Sequence, residues 1–218
     1  MEGYSIRKAL KKDIPFLADV VIAAEKGNSD TLSYATLFNF SEEKVKDLII
    51  SMFEEEIEGC EFSVDSFLIV EQNGKAVASF GAWIEGLNGI ASKILKSNLI
   101  SYTFGKEAIE FLKSKQDIIK DILTEREQFT LQFEYLFVSE LQRGKMLGDM
   151  LIKEHEVQAK LLYPELSKAQ VQMFKNNTNA IYVYERNGFK LAKSSQSNHA
   201  EILNYLPCNE KWIMEKTL

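Results

Sequence analysis

The stretch Leu136–Gly148, LFVSELQRGKMLG, decides how the rest of this 218-residue chain is read. An apolar strand end, Leu136-Phe137-Val138, runs into a short polar turn and then into Arg143-Gly144-Lys145. The amphipathic run Asp149–Leu162 follows at once and reads as a helix. A helix start carries backbone N–H groups with no partner inside the helix, together with the positive end of the macrodipole. It is a ready anion site, and Arg143 and Lys145 add full positive charge beside it; phosphate is the anion that suits it best. Two familiar phosphate motifs are absent. No G-x-G-x-x-G follows a strand, and Gly144-Lys145 leads into Met146 instead of Ser or Thr, with no glycine before it at Walker spacing.

Further along, Asn177–Phe189 reads NTNAIYVYERNGF. Taken with Arg143–Gly148, it resembles the GCN5-related N-acetyltransferase (GNAT) superfamily. That family's pyrophosphate loop reads Arg or Gln, two residues, Gly, one residue, then Gly or Ala. Arg143 and Gly148 match, while Met146 stands where the first of the two spaced glycines belongs. In the later motif Asn177, Ala180, Tyr184, Gly188 and Phe189 all fall in place.

Composition bounds the alternatives. Hydrophobic residues make up 45% and charged residues 27%, the profile of one globular domain over residues 1–218 with a sizeable core. With 26 Lys and Arg against 32 Asp and Glu, the net charge of −6 argues against a nucleic-acid partner. Cys60 and Cys208 are in no C-x-x-C, and His155 and His199 form no H-E-x-x-H, so no disulfide framework and no metal site is indicated. No signal-peptide core and no membrane-length apolar run is found, and a cytoplasmic protein is the simplest expectation.

The remaining elements can be placed in order. Tyr4–Ala9 reads as a strand. Asp13 is placed to cap a helix with Pro15 in its first turn, ending at Gly27. Asn28–Asn39 mixes polar turn residues with Tyr34, Leu37 and Phe38, and Ser41 caps a second helix reaching about Glu56. Phe67–Glu71 and Ala76–Ile84 are strands joined by Asn73-Gly74, a hairpin signal. Residues 87–128 carry helical periodicity and form an insertion between the third and fourth strands, because a structureless loop that long does not suit a compact domain. This insertion could fold over an acceptor cleft or form a homodimer contact. Thr130–Val138 is the fourth strand, Gln170–Lys175 the fifth, and Asn179–Asn187 a helix capped by Gly188. Phe189–Ala192 opens a sixth strand, Ser194–Asn209 reads as a loop, and Lys211–Lys216 is the last strand.

The fold implied is α/β (α+β): a GNAT-like mixed, mostly antiparallel twisted sheet of about seven strands flanked by helices. The chemistry implied is transfer of an acetyl group from acetyl-CoA, as cosubstrate and without a metal, to a primary amine of a small molecule or protein. A non-catalytic acyl-CoA-binding module is the alternative.

The resemblance assigns the pyrophosphate to the backbone of Arg143, Gly144, Lys145, Met146, Leu147 and Gly148. It assigns the pantetheine arm to the strand edge at Leu136, Phe137 and Val138, where an N–H of Leu136 or Phe137 would also polarise the thioester. Asn177 would contact the cofactor. Tyr184 would hydrogen-bond the departing thiolate and hand it a proton, with Tyr182 the fallback. Met146 is expected to be helical in backbone with its side chain turned away. Glu134, set among apolar residues, is the candidate base, sharing its face with Gln132; Glu85 is a weaker one. His155, in the polar run KEHE, is expected to face solvent.

Overall fold

The computed structural model describes residues 3–218. Seven strands form one sheet: β1 (Tyr4–Lys8), β2 (Phe67–Gln72), β3 (Lys75–Ile84), β4 (Leu131–Val138), β5 (Lys168–Phe174), β6 (Lys190–Gln196) and β7 (Glu210–Thr217). Their spatial order is β1-β2-β3-β4-β5-β7-β6. Every neighbouring pair is antiparallel except β4–β5. No helix among the described residues is long and apolar enough to cross a membrane.

Side-chain alternation along β2 builds a core on each face of the sheet. Phe67 and Ile69 face α1 (Ile14–Lys26), α2 (Ser33–Phe38) and α3 (Glu42–Glu54). Leu68 and Val70 face α7 (Leu147–Leu162) and α8 (Thr178–Arg186). The Asn73-Gly74 hairpin is present, with both residues left-handed as a tight turn requires. Ser41 caps α3, accepting from the Lys44 amide at 3.2 Å.

Residues 87–128 do form a helical insertion, with α4 (Ser92–Phe104), α5 (Lys106–Ser114) and the short α6 (Gln116–Ile119). Leu99, Ile100, Phe104 and Ala108 join the core of α1–α3, so the insertion thickens that face of the sheet.

Two expectations are corrected, and the unassigned segment Asn28–Asn39 gains a helix. Asp13 does not cap α1: its own backbone is helical, and its carboxylate accepts from the Arg7 guanidinium at 2.7 and 2.9 Å and from the Leu10 amide at 2.8 Å. Asn28–Asn39 contains the helix α2, whose Tyr34 and Phe38 bury against Phe104. The sixth strand runs on to Gln196, so the following loop is shorter and holds one 3-10 turn at Ile202–Asn204.

Candidate active site

Strands β4 and β5 pair over only three residues, Leu131↔Ala169 to Phe133↔Val171. Beyond Phe133 they diverge, and the rest of β4 presents a bare edge. The cause lies in β4 itself. Its register against β3 steps from Glu134↔Gly81 to Phe137↔Ser79, which places one extra residue in β4. Tyr135 takes the left-handed conformation there, with φ +62°. Such a bulge bends and twists the strand that carries it.

The bulge also resets which side chains face where. Leu131 and Phe133 face α7 and α8, Tyr135 and Phe137 face α1–α3, and Leu136 and Val138 return to the α7 side. Tyr135 is held by its hydroxyl against that of Tyr34 (3.3 Å) and by its ring against Phe62. A left-handed non-glycine residue costs about 1–2 kcal/mol, a cost that aromatic packing on one side offsets.

The backbone register narrows the edge assignment. The Ser139 amide donates to the Val77 carbonyl at 2.9 Å. Alternation then turns the Phe137 amide toward β3 and leaves those of Leu136 and Val138 at the open edge. Of the two amides expected to reach a ligand carbonyl, Leu136 is free and Phe137 is engaged.

The opening forms a cleft lined by Glu134 and Leu136 from β4, Asn177 and Tyr184 from α8, Glu25 from α1 and Lys211 from β7. The start of α7 adjoins it. A Cβ added to Gly148 would lie 3.4 Å from both Leu136 and Val183, so glycine lets the first turn of α7 press against β4 and α8. Met146 stands at the N-cap without a side-chain cap bond, which leaves the N–H groups of the first turn without a side-chain acceptor. Its backbone is left-handed (φ +59°), not helical as expected, and its side chain is 53% exposed, turned outward. Gly144 is also left-handed. Arg143 is exposed, its nearest carboxylate that of Glu140 at 3.9 Å. Lys145 donates to Gln142, which is tied to Tyr4 and Gln72, so the turn is anchored on β1 and β2. Asp149, an acid in the first turn of α7, is engaged by Arg186 and Asn187 of the α8 segment.

The spacing of the second motif has a mechanical reading. Asn177 caps α8, its side-chain oxygen accepting from the Ala180 amide at 3.3 Å. At the other end Gly188 is left-handed (φ +88°), and the Phe189 amide donates to the Tyr184 carbonyl at 3.0 Å, closing a Schellman turn. That turn sets Phe189 edge-on against Tyr184, with ring centroids 5.7 Å apart, while Phe80 stacks at 6.1 Å. Tyr184 is thereby pinned at the cleft, and burial raises its phenol pKa above the ordinary value. Tyr182 is exposed and lies beside Arg186, away from the cleft.

The remaining polar candidates separate clearly. Glu134 faces the cleft and accepts from Arg126 at 2.9 Å. Gln132 is buried in a network with Thr130 and Gln170. Glu85 is not in the cleft: it accepts from the Trp83 indole and from the amide and hydroxyl of Ser92, capping α4. His155 is buried, contrary to expectation, between Phe80 and Phe133. Its Nε2 lies 2.9 Å from the Phe80 carbonyl, which can only accept, so Nε2 carries the proton and donates. Desolvation lowers its pKa to about 4.

Glu25 was not legible as a site residue, because in sequence it is one acid in the last turn of a helix. The fold sets it on the cleft wall, where burial raises its carboxyl pKa. Lys211, at the start of β7, lines the same cleft, and burial lowers its ammonium pKa.

No protein-family model matches the chain, and no curated protein matches it. Solved structures do. An N-acetyltransferase from Staphylococcus aureus Mu50 aligns over 97% of this chain and 100% of its own, with TM-score 0.65 and 13% identity. A mutant agmatine N-acetyltransferase in its apo form covers 100% of each chain at TM-score 0.61 and 14% identity. An acetyltransferase of the GNAT family from Streptococcus pneumoniae covers 99% of each chain at TM-score 0.50 and 14% identity. At identities this low the likeness speaks for architecture, and it agrees with the splayed sheet, the α7 turn and the capped α8: the chain has the fold of the GCN5-related N-acetyltransferase superfamily.

Proposed function

We propose that this protein is an acetyl-CoA-dependent N-acetyltransferase that acetylates a primary amine by direct attack. The observation that carries the reading is the convergence of three features on one cleft. These are an uncapped helix start beside two cations, a free strand edge at Leu136, and a pinned tyrosine at position 184. Acetyl-CoA, when bound, supplies an acetyl thioester activated for transfer.

The residues present fit that ligand. First-turn N–H groups of Leu147 and Gly148 receive the diphosphate, with Arg143 and Lys145 as counter-charge and the left-handed Gly144 and Met146 shaping the turn. The open edge at Leu136 and Val138 can pair with the pantetheine amides as a strand would. The Leu136 amide is placed to polarise the thioester carbonyl. Asn177 spends its side-chain oxygen on the α8 cap, which leaves its NH2 group for the ligand.

The amine must shed a proton as its C–N bond forms and the C–S bond breaks. Glu134 and Glu25 are the two carboxylates of the cleft. Glu134 is held by the Arg126 guanidinium, so it orders the acceptor side, and Glu25, without an ion-pair partner, takes the proton. Tyr184 has a pKa above its reference of about 10, against about 8.5 for a thiol. It therefore keeps its proton and stabilises the departing thiolate by hydrogen bonding, while water protonates the sulfur.

The test is free-thiol release from acetyl-CoA over a panel of amines, beside calorimetric binding of coenzyme A. Y184F should lower turnover about 100-fold with little change in coenzyme A affinity. An unchanged rate removes the role given to Tyr184. Tight coenzyme A binding with no thiol release for any amine would instead describe an acyl-CoA-binding module.

A further inference from the structure

The acceptor side of the cleft gathers an equal set of desolvated charges. Glu25, Glu61 and Glu134 are the carboxylates, and Lys96, Arg126 and Lys211 the cations. Lys96 pairs with Glu61 at 3.0 Å, and Arg126 pairs with Glu61 at 3.3 Å and with Glu134 at 2.9 Å. Among the described residues, Glu25 and Lys211 are left without an ion-pair partner, and both line the cleft. They come from its two sides. Glu25 is on α1, which lies over β4, and Lys211 is on β7, opposite Phe174 of β5.

A charge taken out of water without a partner is unfavourable, and here burial already pushes the Glu25 carboxyl up and the Lys211 ammonium down. The arrangement is relieved by a ligand carrying one charge of each sign. A simple amine would leave Lys211 with only the more distant charges of Glu134 and Glu25 and no direct ion-pair partner. A polyamine would set a second cation against it. The amino terminus of a peptide has an amide where Lys211 calls for an anion.

We propose that the acceptor is a small amino-acid-like zwitterion, its ammonium at Glu25 and its carboxylate at Lys211. This rests on the N-acetyltransferase reading and narrows its substrate. In the step itself Glu25 takes one ammonium proton, the nitrogen lone pair forms the C–N bond to the acetyl carbon, the C–S electrons leave on the thiolate, and the second nitrogen proton passes through water to that sulfur.

The experiment compares the twenty common L-amino acids with their amides and decarboxylated amines. It follows thiol release and, separately, calorimetric binding of each compound to the protein with coenzyme A present. At least one amino acid should bind and react roughly ten- to a hundredfold better than its amide or decarboxylated amine. K211M should erase that preference by weakening the amino acid alone. E25Q should weaken the amino acid and the decarboxylated amine alike. Both variants should melt no lower than the parent, since each removes a half-buried charge that makes no ion pair.

Decarboxylated amines or peptide amines reacting as well as amino acids would overturn the zwitterion proposal and leave N-acetyltransfer standing. A clear loss of melting temperature in K211M and E25Q would also overturn it, by giving these charges a structural role. No coenzyme A binding, or no thiol release with any amine, would bring down the enclosing reading as well.

Discussion

The two sides of the cleft are built on different principles. The side formed by α7 and α8 is local and mostly neutral: uncapped N–H groups, a helix cap, a Schellman turn and aromatic rings hold it together. The side formed by α1, α2 and the helical insertion is ionic and non-local, with Glu61, Lys96, Arg126 and Glu134 drawn from four separate stretches. In the proposed function, a diphosphate has one shape, so short chain segments can encode its site, while the proposed acceptor is specified by charges whose partners lie far along the chain.

The sharpest break of this contrast is R126M. Glu61 has 0% exposure, and its carboxyl pKa is held at about 2. Two cationic side chains oppose the effect of burial there, Arg126 first and Lys96 second. Removing Arg126 leaves buried carboxylate charge uncompensated, and the expected loss is about 3–5 kcal/mol in urea unfolding. A loss below about 1 kcal/mol would mean the network behaves as a surface cluster.

The neutral side has its own weak point in acid. His155 is neutral in the fold with a pKa of about 4, against about 6.5 unfolded. Below pH 6.5 the unfolded chain binds a proton there that the folded chain refuses. Stability therefore falls as pH drops from about 6.5 to about 4, by roughly 3 kcal/mol from this group. H155Q keeps a donor for the Phe80 carbonyl and cannot titrate. Its loss of unfolding free energy between pH 7 and pH 4 should be smaller than the parent's, and equal losses would discard the assignment.

Met146 should give the smallest effect. Its left-handed backbone costs about 1–2 kcal/mol, which glycine avoids while losing about 0.5–1 kcal/mol to chain entropy. M146G is expected to change stability by less than about 1 kcal/mol and to hold or improve coenzyme A binding in calorimetry. A marked loss of binding would show that the methionine side chain contributes to the turn.

The same contrast explains what could be read in advance. The Asn177–Phe189 spacing is legible because each residue answers a short-range demand: a cap at one end, a left-handed turn at the other. Asn73-Gly74 is legible for the same reason. The bulge at Tyr135 is not, because a tyrosine becomes left-handed there only when Tyr34 and Phe62 receive it. His155 misleads in sequence: its neighbours Glu154 and Glu156 are polar, yet its own ring turns onto Phe80 and Phe133. Glu85 misleads in the other direction, since its carboxylate is consumed in capping α4.

By itself the sequence determined the order of the strands, the helical insertion, the turn at Arg143–Gly148 and the helix ending in Gly188-Phe189, but not the short helix α2. These follow from periodicity, capping and turn chemistry, which act within a few residues. Only the tertiary structure decided where β4 parts from β5 and which charges are buried. It also decided that Glu25 and Lys211 share one cleft. Desolvation and ion pairing depend on what is near in space, and no local pattern records that.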